Sequence, residues 1–123
     1  MSATAAPFRL PDAPAETDLV AKYFRGLGDP IRLRILELLR EGEKSVSEMQ
    51  LALSAEGSTV SQQLAILRMK NLVDTRKEGN VIYYRMRDPQ VHELLDAARR
   101  IFHAHVIRLQ SITEEREPEP KTG

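Results

Sequence analysis

Cysteine is missing from all 123 residues, which removes disulfides, thiolate metal sites and cysteine nucleophiles together. An excess of either charge is missing too, because 18 Lys and Arg balance 18 Asp and Glu. The chain as a whole therefore neither attracts nor repels a polyanion, and only local charge can select such a partner. No apolar run is long enough to cross a bilayer, and the N-terminus lacks the charged-then-apolar order of a signal peptide. A cytoplasmic location with no membrane partner is expected. No Ser/His/Asp set or carboxylate pair can be placed together, so the chain is not expected to be an enzyme. Its length suits one domain with a modest core.

The ends carry little that could pack. Residues 1–15 are rich in Ala and Pro and read as a disordered or loosely packed arm, with Phe8 and Leu10 as its only means of docking on a partner subunit. Residues 114–123, "EEREPEPKTG", read as a disordered acidic tail, leaving 16–113 as the ordered domain.

Within that domain Leu19, Val20, Tyr23, Phe24 and Leu27 form an i, i+3, i+4 stripe that stops at "GLGD". Asp29 followed by Pro30 reads as an N-cap with proline at the first helical position, where a missing N–H costs nothing. Ile31, Ile35, Leu38 and Leu39 make the next apolar face, and Gly42 ends that helix. A short helix follows over Ser45 to Leu53 with Val46, Met49 and Leu53 on one side, and a fourth over "STVSQQLAILRMKN". The period then changes to two. "VDTRKEGNVIYYRM" alternates on both sides of a Gly79–Asn80 turn, which predicts a β-hairpin with Ile82, Tyr84 and Met86 inward and Tyr83 and Arg85 outward. A long last helix starts near Asp88–Pro89. The chain is thus mainly α with a β-hairpin wing, in the α-α-α-α-β-β-α order of a winged helix-turn-helix.

On a helical wheel Val60, Leu64 and Leu67 of the fourth helix fall together and face the core, with Thr59, Gln62, Gln63, Ile66 and Lys70 opposite. Glutamine can pair bidentately with adenine, and hydroxyls can reach several bases or phosphates. Ser58 reads as the N-cap, bringing the helix's free N–H groups near a phosphate. Polar outward faces are common to all surface helices, so local charge decides. Between Ser58 and Arg87 there are six basic residues, Arg68, Lys70, Arg76, Lys77, Arg85 and Arg87, against Asp74 and Glu78, a local excess of four. A wing carrying Arg76, Lys77 and Asn80 suits backbone phosphate or a minor groove. Double-stranded DNA is the expected partner. A winged-helix module whose basic face meets an acidic protein, without sequence-specific DNA binding, is the alternative.

"LGDPIRLRILELL", "STVSQQLAILRMKNLV" and "RKEGNVIYYRM" closely resemble the ArsR/SmtB family of bacterial dimeric repressors, over about Val20 to Ile112 and in the right order. The resemblance implies a regulator that binds an inverted-repeat operator as a homodimer and is released by a metal ion, another ligand or a co-regulator protein. It places Ser58, Thr59, Ser61, Gln62 and Gln63 on the reading helix and Arg76, Lys77 and Asn80 in the wing contacts, with Arg68, Lys70 and Arg85 in the same basic region. Many members carry His at Gln62 or Gln63, so operator preference does not transfer.

In the last helix Val91, Leu95, Ala98, Phe102, His105, Leu109 and Ile112 follow alternating steps of four and three, widened by Leu94 and Ile101, as in a helix–helix seam. So long a stripe in so small a chain is expected to meet a second subunit through the terminal helices. Metal-sensing members resembled here carry a carboxylate-x-His, ten residues, His-x-x-Glu/His pattern in this helix. His92 and His103 occupy its central places, while Gln90 and Val106 leave half the set missing. No cofactor is certain; Zn²⁺ or Ni²⁺ at the terminal-helix dimer interface, with His92 and His103 as candidate ligands, is the one implied. Eleven residues separate the two, about 16 Å along a helix, so an ion would have to be shared across antiparallel subunits. The alternative is that both are partly exposed helix residues. Ser45 and Ser47 stand where the arsenic-, cadmium- and lead-sensing members carry Cys-x-Cys. Serine hydroxyls are poor ligands for thiophilic ions, which leaves "SVSE" as a capping box in which Ser45 and Glu48 cap each other.

Overall fold

Each helix of the N-terminal part begins or ends where its local chemistry requires. The computed structural model describes residues 14–116; Phe8 and Leu10 of the N-terminal arm and the tail from 117 onward lie outside the described residues. Two compact units divide at Arg87/Asp88.

In the first unit α1 spans Pro14–Leu27 and α2 Pro30–Leu38. The Asp29 carboxylate accepts from the N–H groups of Ile31 and Arg32 at 3.0 and 3.1 Å; Pro30 has no N–H, so two of the three orphan donors at the start of α2 are satisfied. A 3₁₀ turn, Leu39–Glu41, closes α2 ahead of Gly42. Strand β1, Lys44–Ser45, leads directly into α3, Val46–Leu53. The capping box forms as the sequence predicts. Ser45 Oγ accepts from the Glu48 N–H at 3.2 Å and Glu48 Oε1 from the Ser45 N–H at 2.8 Å. Ser45 is buried, so Ser45→Ala is expected to lower stability by about 1 kcal/mol, measured as a shift in a urea midpoint at constant m-value.

The turn Ser54–Glu56, with Ser54 left-handed at φ 53, joins α3 to α4, Gly57–Met69. At the far end of α4, Asn71 takes φ 61. The Leu72 and Asn71 N–H groups donate to the carbonyls of Leu67 and Arg68 at 2.9 and 3.0 Å, a left-handed C-terminal cap that turns the chain into the sheet. Strands β2, Val73–Glu78, and β3, Val81–Met86, form the predicted hairpin, paired from Val73↔Met86 to Glu78↔Val81. Gly79 at φ 64 supplies the positive dihedral of its two-residue turn. Strand β1 adds to β3 as a third antiparallel strand, giving the order β1-β3-β2. Two residues are too few to show a period, which is why β1 is missing from the sequence-derived order.

The core of this unit is built from Ile35, Leu36 and Leu39 around α2, Met49 and Leu53 of α3, Val60, Leu64 and Leu67 of α4, and Leu72 and Val73. Ile82 departs from expectation: it is 41% exposed rather than packed inward. It pairs with Lys77 next to the turn and lines an open cavity with Val46, Ser47, Ser61 and Tyr84, while Tyr84 and Met86 are half-buried.

The second unit carries α5, Gln90–Arg116. Helix α1 begins at Pro14 and α5 ends at Arg116.

Candidate nucleic-acid interface

Helix α4 is set by its fully buried face of Val60, Leu64 and Leu67. Its N-cap is Glu56, in extended geometry and without a side-chain cap, so Ser58 lies one turn-position inside the helix and is not the cap. Gly57 takes the first helical position, so the cap falls two residues before Ser58. The outward side also differs from the wheel. Ser58, Ser61, Gln62, Ala65, Arg68 and Met69 are exposed, whereas Thr59, Gln63, Ile66 and Lys70 are half-buried. Helices α2 and α3 both pack on α4, and their cover shifts the open face away from the direction directly opposite the core.

The wing places Lys77, Asn80 and Arg85 in solvent. Arg76 is differently placed. Its guanidinium meets the Glu43 carboxylate through Nε at 2.9 Å and Nη2 at 2.7 Å, and Glu78 through Nη1 at 2.6 Å. It also lies 4.8 Å from the ring centroid of Tyr83, its direct cross-strand partner. The hydrogen bond from Arg76 holds the Glu43 carboxyl below the usual carboxylate range, and the same two carboxylates raise the guanidinium further still. The local excess of positive charge read from residues 58–87 is therefore reduced by Glu43, which enters from outside that window. Besides Arg76, the cations of residues 58–87 that face solvent are Arg68, Lys77, Arg85 and Arg87, the last hydrogen-bonded to Asn71 at 3.0 Å.

Arg32 is a site residue that sequence reasoning missed. Its Nη1 donates to Gln63 Oε1 at 2.8 Å, while Nε and Nη2 donate to the carbonyls of Gly26 and Arg25 at 2.8 and 3.2 Å. One cue was present in the sequence. Arg32 stands in the first turn of α2, where the helix dipole disfavours a cation, so a compensating partner was to be expected.

In α5, Val91 and Leu95 are buried, at 4% and 7% exposure, which removes them from the set expected to face a second subunit. Leu94, Ala98, Ile101, Phe102, His105, Leu109 and Ile112 remain exposed, and Ile107 joins them. The period of four and three marks both sets alike and cannot separate them. His92 is half-buried and His103 exposed. Among the described residues no group of three or more His, Cys, Asp or Glu could hold a metal ion. Two imidazoles eleven residues apart on one helix fall short of the four to six ligands that Zn²⁺ or Ni²⁺ takes, so the residues of one chain do not fit a metal. No described helix is long and apolar enough to cross a membrane.

A short helix, a three-residue turn, a second helix with an open polar face and a basic hairpin beside it define a DNA-binding winged-helix transcriptional regulator, not an enzyme. Residues 29–75 match the model of the bacterial regulatory protein arsR family. The chain is 42% identical over 84 residues to the HTH-type transcriptional regulator Rv0081 of Mycobacterium tuberculosis, covering 68% of this chain and 74% of that one. Its fold is similar to the homodimeric winged helix-turn-helix DNA-binding domain of Mb0332 from Mycobacterium bovis, with TM-score 0.70, 30% identity and coverage of 81% and 93%. It is also similar to the transcriptional repressor BigR from Xylella fastidiosa, with TM-score 0.67, 33% identity and coverage of 77% and 97%. The chain belongs to the arsR family.

Proposed function

We propose that this regulator is a cytoplasmic homodimeric repressor that presents two copies of α4 to an inverted-repeat operator. The carrying observation is the open side of α4, where Ser58, Ser61, Gln62 and Arg68 are exposed on the same unit as the solvent-facing Lys77, Asn80 and Arg85 of the wing. Gln62 then reads base edges from the major groove, the serines and the N–H groups of the first turn of α4 engage phosphate, and the wing cations grip the flanking backbone. Thr59, Gln63 and Lys70 lie at the edge of this surface, and Arg76 shapes the wing through Glu43, Glu78 and Tyr83. The homodimeric state of Mb0332 and the exposed apolar residues of α5 support assembly through terminal helices, with reading helices about 34 Å apart.

Release falls to a ligand or co-regulator protein outside the residues of one chain, because His92 and His103 alone make a poor metal site. Footprinting on the region upstream of its own gene is expected to protect an inverted repeat. Affinity should be about 10 nM or tighter at physiological salt and fall steeply as salt rises. Equal affinity for random duplex would overturn this reading in favour of a protein-binding module.

A further inference from the structure

We propose that Arg32 is a positioning residue for the reading helix, acting through Gln63, so that the two adjacent glutamines of α4 have different jobs: Gln62 reads a base and Gln63 does not. The proposal rests on α4 being the DNA-reading element.

The chemistry of the three hydrogen bonds carries it. Arginine only donates, so the atom of Gln63 facing Arg32 must be the oxygen, and the orientation of that amide is determined without ambiguity. Bidentate pairing with adenine needs both ends of the amide, the oxygen accepting from N6–H and the nitrogen donating to N7. Arg32 takes one lone pair of Oε1 and fixes the plane of the amide, so the half-buried Gln63 is not free to turn both ends toward an adenine. Gln62 is exposed, and among the described residues none holds its amide.

The other two bonds explain why a cation stands there at all. Arg25 and Gly26 lie in the last turn of α1; the Arg25 carbonyl accepts from the Gly28 N–H at 3.2 Å, and Arg32 adds a donor to it and one to the Gly26 carbonyl. It does so from the half-buried first turn of α2. One planar guanidinium therefore spans the end of α1, the start of α2 and one flank of α4. The approach is close on this side: a Cβ added to Gly26 would lie 2.6 Å from Lys70 Cδ at the other end of α4. The roll of α4 about its own axis, which aims Ser61 and Gln62, is held on one side by the buried apolar row and on the flank by this charge-assisted bond. Lysine, a point charge with no fixed fork, would not reproduce it.

The test selects operator sequences from randomised duplex DNA with the full chain, then repeats the selection and the affinity measurement for Gln62→Ala, Gln63→Leu, Arg32→Leu and the double variant Arg32→Leu/Gln63→Leu. Gln62→Ala is expected to flatten the preference at one position of each half-site. Gln63→Leu is expected to lower affinity for the selected operator about tenfold while leaving every base preference in place. Arg32→Leu should do the same, and the double variant should be no weaker than the worse single one, since the bond can be lost only once. If Arg32→Leu fails to fold, Gln63→Leu alone still decides by its base preferences. Loss of an adenine preference in Gln63→Leu, or single effects that simply add, would overturn the proposal. A wild-type chain that selects no sequence at all overturns the DNA-reading assignment as well, which separates the two failures.

Discussion

Phe102→Asp is expected to leave the chain helical but monomeric and to weaken operator binding about a thousandfold, toward the level of non-specific DNA. Phe102 is 63% exposed in the single chain, so a carboxylate there meets only water and the fold of the protomer is spared. In a helix–helix seam the same carboxylate would be taken out of water opposite apolar residues, a cost that a weak seam cannot offset. Losing the second subunit removes one of two half-sites and with it most of the difference between specific and non-specific affinity. Sedimentation measures the assembly and gel shift the binding. A variant that stays dimeric with unchanged affinity would place the seam elsewhere. His105, exposed on the same helix, is the milder probe of the same surface.

Leu64→Ala should act on the protomer itself. Leu64 is fully buried, as are its same-face neighbours Val60 and Leu67. Deleting its side chain in such a site costs about 2–5 kcal/mol, a large part of the roughly 5–15 kcal/mol that holds a small domain together. The melting temperature should drop by about 10 °C or more, and DNA binding should fail above the new midpoint because α4 loses its seat. Met69 of the same helix is the control. At 75% exposure, its replacement by Ala should stay within about 0.5 kcal/mol of the parent. Equal effects from the two positions would mean that the assigned core face of α4 is wrong.

Much of this molecule could be read before its coordinates. Period-3.6 stripes, Asp29–Pro30, the "SVSE" capping box and Gly79–Asn80 are local signals, each acting within a few residues, and they gave the helices, the hairpin and the winged-helix order. Most departures involve residues far apart in sequence or elements too short to pattern. Glu43 and Arg76 are 33 positions apart, and so the neutralised wing cation looked free. Arg32 and Gln63 are 31 apart, so Gln63 looked like a second adenine reader. Ser58 looked like a cap because Gly57, which displaces it, is a weak helix former that no propensity scale favours.

The sequence by itself determined the order of every element but β1, because hydrophobic periodicity and capping are properties of neighbours along a chain, and its three motif blocks carry the resemblance to the family. Only the tertiary structure decided which polar side chains remain open for a partner and which are already engaged. An arginine or a glutamine has the same chemistry wherever it stands; whether its donors and acceptors are free depends on what the fold brings within 3 Å, such as Arg32 to Gln63 at 2.8 Å and Arg76 to Glu43 at 2.7 Å.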